Sequence, residues 1–161
     1  MSAIGGIDLT DSNLVIFNHT GYVPQLLEEL AFSIQVNVIN HLAHHTVIDE
    51  GESMCIMSLN CWKSLGSLRL SQSSMISKAF DGRTYKPCGI INNLQVELGG
   101  KIVSIDVEVV DGPLDYNILL GRTWVYAMTT IVSTYFRMVS FPHKGTITII
   151  NQLSFLPSLR R

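Results

Sequence analysis

Asp49, Glu50 and Glu52 crowd three carboxyl groups into the run Val47-Ile48-Asp49-Glu50-Gly51-Glu52-Ser53. An aspartate at the end of an apolar run, with a glycine two places on, marks a strand that stops in a sharp turn. Its carboxyl is then presented at the strand end. Alone, such an aspartate is most often an ordinary turn residue; beside a second carboxyl it can do general acid–base work, one group ionised to take a proton and one protonated to give it. Two such groups a few ångströms apart divide those roles because both cannot ionise cheaply. They titrate as a coupled pair. The chain offers one turn of this kind. Asp81-Gly82 reads as a hairpin tip, and Asp111-Gly112-Pro113 follows a strand without a re-entrant context.

Other chemistries find less support. His41, His44 and His45 lie close together, but no cysteine stands at ligand spacing, and a regular strand sends His44 and His45 to opposite faces. No metal and no cofactor are expected. Cys55, Cys61 and Cys88 are odd in number and form no C-x-x-C pair, which predicts reduced thiols and a cytoplasmic setting. A G-x-S-x-G elbow is absent, and neither Gly5-Gly6 nor Gly99-Gly100 leads into the Lys-Ser or Lys-Thr of a phosphate loop.

The elements that must position Asp49 are short strands. Phe32, Ile34, Val36 and Val38 alternate with polar residues, Ile39-Asn40-His41 offers a turn, and Ala43 to Ile48 returns. Met54 to Met57 is a short apolar run. Ser58 is placed to cap a helix through Leu65, with Gly66 as its stop. Ser71 to Ser74 reads as a loop. Met75–Phe80 and Thr84–Ile91 flank Asp81-Gly82 as one hairpin. Leu94–Leu98 and Val103–Val109 flank Gly99-Gly100 as another. Asn117–Leu120 predicts a buried strand, Gly121–Met128 a short helix, and Thr146–Ile150 a terminal strand after a turn over Pro142–Gly145. Trp62, Trp124 and Tyr126 are expected in the core. The whole predicts an all-β closed barrel with a flap hairpin and one or two short helices. A loosely structured leader, 1–27 with a possible strand at Leu14–Phe17, precedes a domain spanning 28–155, and 156–161 form a tail.

The 161 residues suffice for one domain, and 47% apolar with 15% charged residues describe a folded chain. A formal charge of −2, with scattered basic residues, gives no reason to expect nucleic acid. No apolar run approaches the roughly 20 residues of a membrane helix, and Met1–Asp11 lacks the pattern of a secretory signal. Neither nucleic acid nor membrane is an expected partner.

Taken in order, the Asp49 turn, the hairpin at Phe80-Asp81-Gly82, the segment Asn117-Ile118-Leu119-Leu120-Gly121-Arg122, the following Trp124 and the closing Phe141-Pro142-His143 carry a resemblance. The chain, from about Leu30 to Phe155, resembles the retropepsin-like protease domain of LTR-retrotransposon polyproteins, the gypsy type of plants above all. The resemblance implies a barrel that is half of an active site. Asp49 is then the catalytic residue, with Glu50, Gly51, Glu52 and Ser53 as its loop. A homodimer supplies the second Asp49. Ala79, Phe80, Asp81 and Gly82 form a flap whose backbone binds an extended peptide or polyprotein substrate. Leu119, Leu120, Gly121 and Arg122 support the loop from behind.

The loop departs from the family at three places. Glu50 replaces a threonine or serine whose hydroxyl reaches the partner's backbone. Glu52 replaces a small residue, and Ser53 replaces the acidic partner of the arginine matching Arg122. Repulsion and desolvation are expected either to raise the pKa values of these crowded carboxyls or to push the glutamates outward, and Arg122 to find another partner. Two functions follow: an active aspartic endopeptidase, or a degenerate domain that keeps the fold and binds or dimerises.

Overall fold

A computed structural model describes residues 31–74, 78–80 and 83–152. The expected leader 1–27 with its possible strand, the flap tip Asp81-Gly82 and the tail 156–161 lie outside the described residues.

Strand β1 (Ser33–Val38) buries Ile34, Val36 and Val38, as its alternation requires. It turns through Ile39 and Asn40, whose φ values of 49° and 60° define a type I′ hairpin, into β2 (His41–Ile48). The pairing is not regular. Ile34 faces Thr46 but Val36 faces Ala43, so β2 holds one extra residue, and His45 adopts φ 50°. This bulge corrects the expectation for the histidines: both His44 and His45 are exposed, because the bulge breaks the two-residue period between them.

Strand β3 (Cys55–Ser58) leads into α1 (Leu59–Ser64). Ser58 caps it as expected, its Oγ accepting from the Cys61 amide at 3.1 Å, and Gly66 ends the turn with φ 91°. Strand β4 (Lys78–Phe80) pairs with the start of β5 (Arg83–Leu98). Here the sequence reading needs a second correction. Thr84–Ile91 and Leu94–Leu98 are one 16-residue strand, shared by both hairpins. Register shifts at Pro87/Gly89 and Ile91/Leu94 bend it, and Asp106 Oδ1 accepts the amide of Asn93 at 2.9 Å in the second bulge. Alternation restarts after a bulge, which imitates a strand break.

Strand β6 (Lys101–Asp111) runs antiparallel to β5 beyond Gly99-Gly100. Then come β7 (Ile118–Leu120), α2 (Arg122–Met128), β8 (Ile131–Ser133), β9 (Met138–His143) and β10 (Thr146–Asn151). The order β1-β2-β7-β3-β6-β5 closes on itself where Asn37 and Val38 pair with Glu97 and Val96. This is the expected barrel. Its interior is filled by Val36, Val38, Met57, Val96, Val107, Val109, Ile118 and Leu120. Strands β8, β9 and β10 form a second sheet, with the last turn at Lys144-Gly145.

Helix α2 buries Trp124 and Met128, four residues apart on one face. Tyr126 lies between them on the opposite face and is 83% exposed, contrary to its expected core place. Trp62 is half-buried and donates Nε1–H to the carbonyl of Leu68 at 2.8 Å.

Candidate active site

Strand β7 is the element that builds the site. Its three buried residues pair in parallel with Thr46, Val47 and Ile48 of β2 and antiparallel with Ile56 and Met57 of β3. The segment between β2 and β3 must therefore loop out and return, and Asp49 lies at its start. The Asp49 amide donates to the Leu120 carbonyl at 3.1 Å, and the Glu52 amide donates to the Asp49 carbonyl at 3.2 Å. Asp49 Oδ1 accepts the Gly51 amide at 2.8 Å. The carboxyl is exposed, yet its orientation is fixed by its own turn.

The support lies in the next segment of chain. Gly121 is buried, and a Cβ there would sit 2.3 Å from the Met54 carbonyl oxygen and 2.6 Å from that of Glu52. Both are backbone atoms that cannot swing aside, so glycine alone fits. Arg122 extends the contact. Its amide donates to the Glu52 carbonyl at 2.9 Å, and its Nη1 donates to the Glu50 carbonyl at 3.1 Å. The arginine thus finds its partners in loop carbonyls rather than in an acidic side chain at position 53. Thr123 adds a 3.3 Å contact between its Oγ1 and Cys55 Sγ, and burial pushes the Cys55 thiol up from its ordinary value.

Glu50 is exposed and Glu52 half-buried. Ser53 is exposed, and its carbonyl accepts the Thr123 amide at 3.3 Å. The flap residues Ala79 and Phe80 pair with Thr84 and Arg83, which builds the arms of the expected hairpin. Two of the three histidines serve separate partners: His44 Nδ1 lies 3.0 Å from Gln35 Nε2, and His41 Nδ1 lies 2.7 Å from the Ile39 carbonyl oxygen. Among the described residues, no group of three or more His, Cys, Asp or Glu could hold a metal ion. No helix among them is long and apolar enough to cross a membrane.

One site residue escaped the sequence reading. Tyr116, half-buried just before β7, has its phenol pushed up to about 12 by burial first, and then by Tyr85, Glu52, Asp49 and Asp115. Its hydroxyl therefore shares the electrostatic surroundings of Asp49. A tyrosine in a loop carries no periodic signal, and only the return of β7 beside β2 brings it there.

No protein-family model and no curated protein matches the sequence. The fold does match solved structures. The retroviral protease-like domain of Ddi1 from Leishmania major superposes with a TM-score of 0.60 at 12% identity, over 76% of this chain and 95% of that one. The barrel, the flap arms and the turn before β3 thus define a retropepsin-like fold. At that identity the likeness concerns the fold alone.

Proposed function

We propose that this chain is an aspartic endopeptidase of retropepsin type, active as a homodimer whose two Asp49 carboxyls share one catalytic water. The observation that carries the proposal is Asp49 itself: an exposed carboxyl, oriented by the Gly51 amide, on a loop backed by Gly121 and Arg122 in a retropepsin-like barrel. The ionised Asp49 takes a proton from water as its oxygen attacks the peptide carbonyl carbon. The protonated Asp49 gives its proton to the carbonyl oxygen. Collapse of that tetrahedral species, with a proton passed to the amide nitrogen, breaks the C–N bond. The flap arms supply backbone groups to an extended substrate. The markers Val47–Ser53, Asn117–Arg122 and Phe141–His143 favour a plant gypsy-type polyprotein as origin and substrate, processed in the cytoplasm.

Glu50 favours a second reading, a degenerate domain that dimerises and binds without cutting. A carboxylate replaces the hydroxyl expected to tie the two loops together, and it has its like across the two-fold axis. The test is incubation of the purified chain with unfolded peptides at mildly acid pH, beside Asp49→Asn and Glu50→Thr. Cleavage abolished by Asp49→Asn and by a statine-type inhibitor supports the enzyme. A dimer, confirmed by sedimentation, that cleaves only as Glu50→Thr establishes the degenerate reading.

A further inference from the structure

Strand β6 places Ile105, Val107 and Val109 in the barrel and turns Ser104 and Asp106 to solvent. Glu108 belongs to that outward set, yet it is 1% exposed. The segment from Ser67 to Ser74, a strap between α1 and the flap, supplies part of its cover and meets it at Ser73. The strap is fastened over β5 at Ser71, whose amide donates to the Ile90 carbonyl at 2.8 Å and whose carbonyl accepts the Ile90 amide at 2.9 Å. Asn92 Nδ2 donates to Ser71 Oγ at 2.9 Å. Gly89 permits this approach, since a Cβ there would lie 2.7 Å from the Ser71 carbonyl oxygen. Ile90 pairs with Ser71 on one side and with Glu108 on the other, so the strap runs beside β5, one strand away from the carboxyl.

Beyond Ser71 the strap meets that carboxyl. Ser73 Oγ donates to Glu108 Oε1, while Glu108 Oε2 has no hydrogen-bond partner among the described residues. A buried carboxyl oxygen without a partner is costly, and lifting the strap would return it to water. Five residues beyond Ser73, at Lys78, the same chain begins β4, one arm of the flap hairpin.

We propose that Glu108 biases the strap towards opening, with Ser73 as its latch, so that the base of the flap is built to move. The functional meaning rests on the endopeptidase reading, in which the flap must admit and release a peptide. The bias itself is a property of the fold. Two substitutions push it in opposite directions. Glu108→Leu removes the oxygen that gains water on opening, so the strap should open less often. Ser73→Ala takes this donor from Glu108 Oε1, so the strap should open more often.

Amide hydrogen exchange on the intact chain reads this directly at Ser71, Ile90 and Lys78–Phe80. Glu108→Leu should slow exchange there and Ser73→Ala should speed it, each by about tenfold, the scale of one buried polar group gained or lost. Val107 and Val109 serve as barrel references and should not change. Glu108→Met, a longer apolar side chain, should repeat the leucine result if leucine packs poorly. The proposal is overturned if both apolar variants speed exchange, which is the behaviour of a merely structural carboxyl, or if neither Glu108 nor Ser73 affects the strap. Exchange needs no turnover, so a chain that cuts nothing fails the endopeptidase reading and leaves this test intact.

Discussion

The Gly51 main-chain N–H donates to Asp49 Oδ1 across 2.8 Å, so the candidate catalytic carboxyl is held by the turn that presents it. Asparagine keeps an acceptor oxygen in that place and alanine does not. Asp49→Asn should therefore abolish hydrolysis while leaving stability nearly intact. Asp49→Ala should abolish hydrolysis and cost about 1 kcal/mol more, the net worth of one such bond. Urea midpoints of the two variants separate the roles.

Gly121 is the least replaceable residue of the site. Alanine there forces its Cβ against the carbonyl oxygens of Met54 and Glu52, at 2.3 and 2.6 Å, so the loop must move. Gly121→Ala should cost about 3 kcal/mol, the upper range for overpacking. Gly145→Ala is the comparison, since φ is 78° there but no atom lies within 4 Å, and the backbone preference alone costs about 1 kcal/mol. Equal losses in denaturant titrations would contradict the steric account.

Ile39 carries avoidable strain. A β-branched side chain at φ 49° in a two-residue hairpin loop is disfavoured, and this one is 42% exposed, so little packing is at stake. Ile39→Asn should stabilise the chain by about 1 kcal/mol, the usual scale for relieving such a conformation. A higher thermal midpoint is the expected result.

Tyr116 should ionise late, since its phenol is pushed up to about 12, by burial before charge. The sign follows from the neutral form being favoured in the folded state. The unfolded chain loses this proton near pH 10, so the stabilisation is complete below that pH and is lost as pH rises towards 12. Tyr116→Phe should flatten that part of the stability profile and remove a step near pH 12 from an ultraviolet titration. A profile unchanged by the substitution would refute the assignment.

Much of this architecture is readable in the residues because local chemistry and global position agree. Ser58 caps α1 and Gly66 stops it, as their types require. The paired glycines 99 and 100 turn β5 into β6. Legibility fails where the period breaks. The bulge at His45 places two neighbouring histidines on exposed positions, and the two bends in β5 disguise one strand as two. Tyr126 fails for another reason: α2 buries only the Trp124 and Met128 face, and that face is chosen by packing rather than composition. In the site, the Asp49 turn and Gly121 follow from the ordered motifs. The carbonyl partners of Arg122 and the place of Tyr116 depend on β7 lying between β2 and β3, a pairing that spans about seventy residues.

That pairing also sets an order of events in time. β7 has three residues, all buried, and it reaches β2 only after the intervening chain has been made. Contacts between distant parts of a chain form late and slowly. During synthesis on the ribosome, the turn at Asp49 lacks its Leu120 carbonyl and its Arg122 brace until residue 122 has emerged. A nascent chain that is cut short before this point carries the acidic turn without the strand and the arginine that back it. If the chain is a protease, it is born inactive and becomes competent only once its barrel has closed.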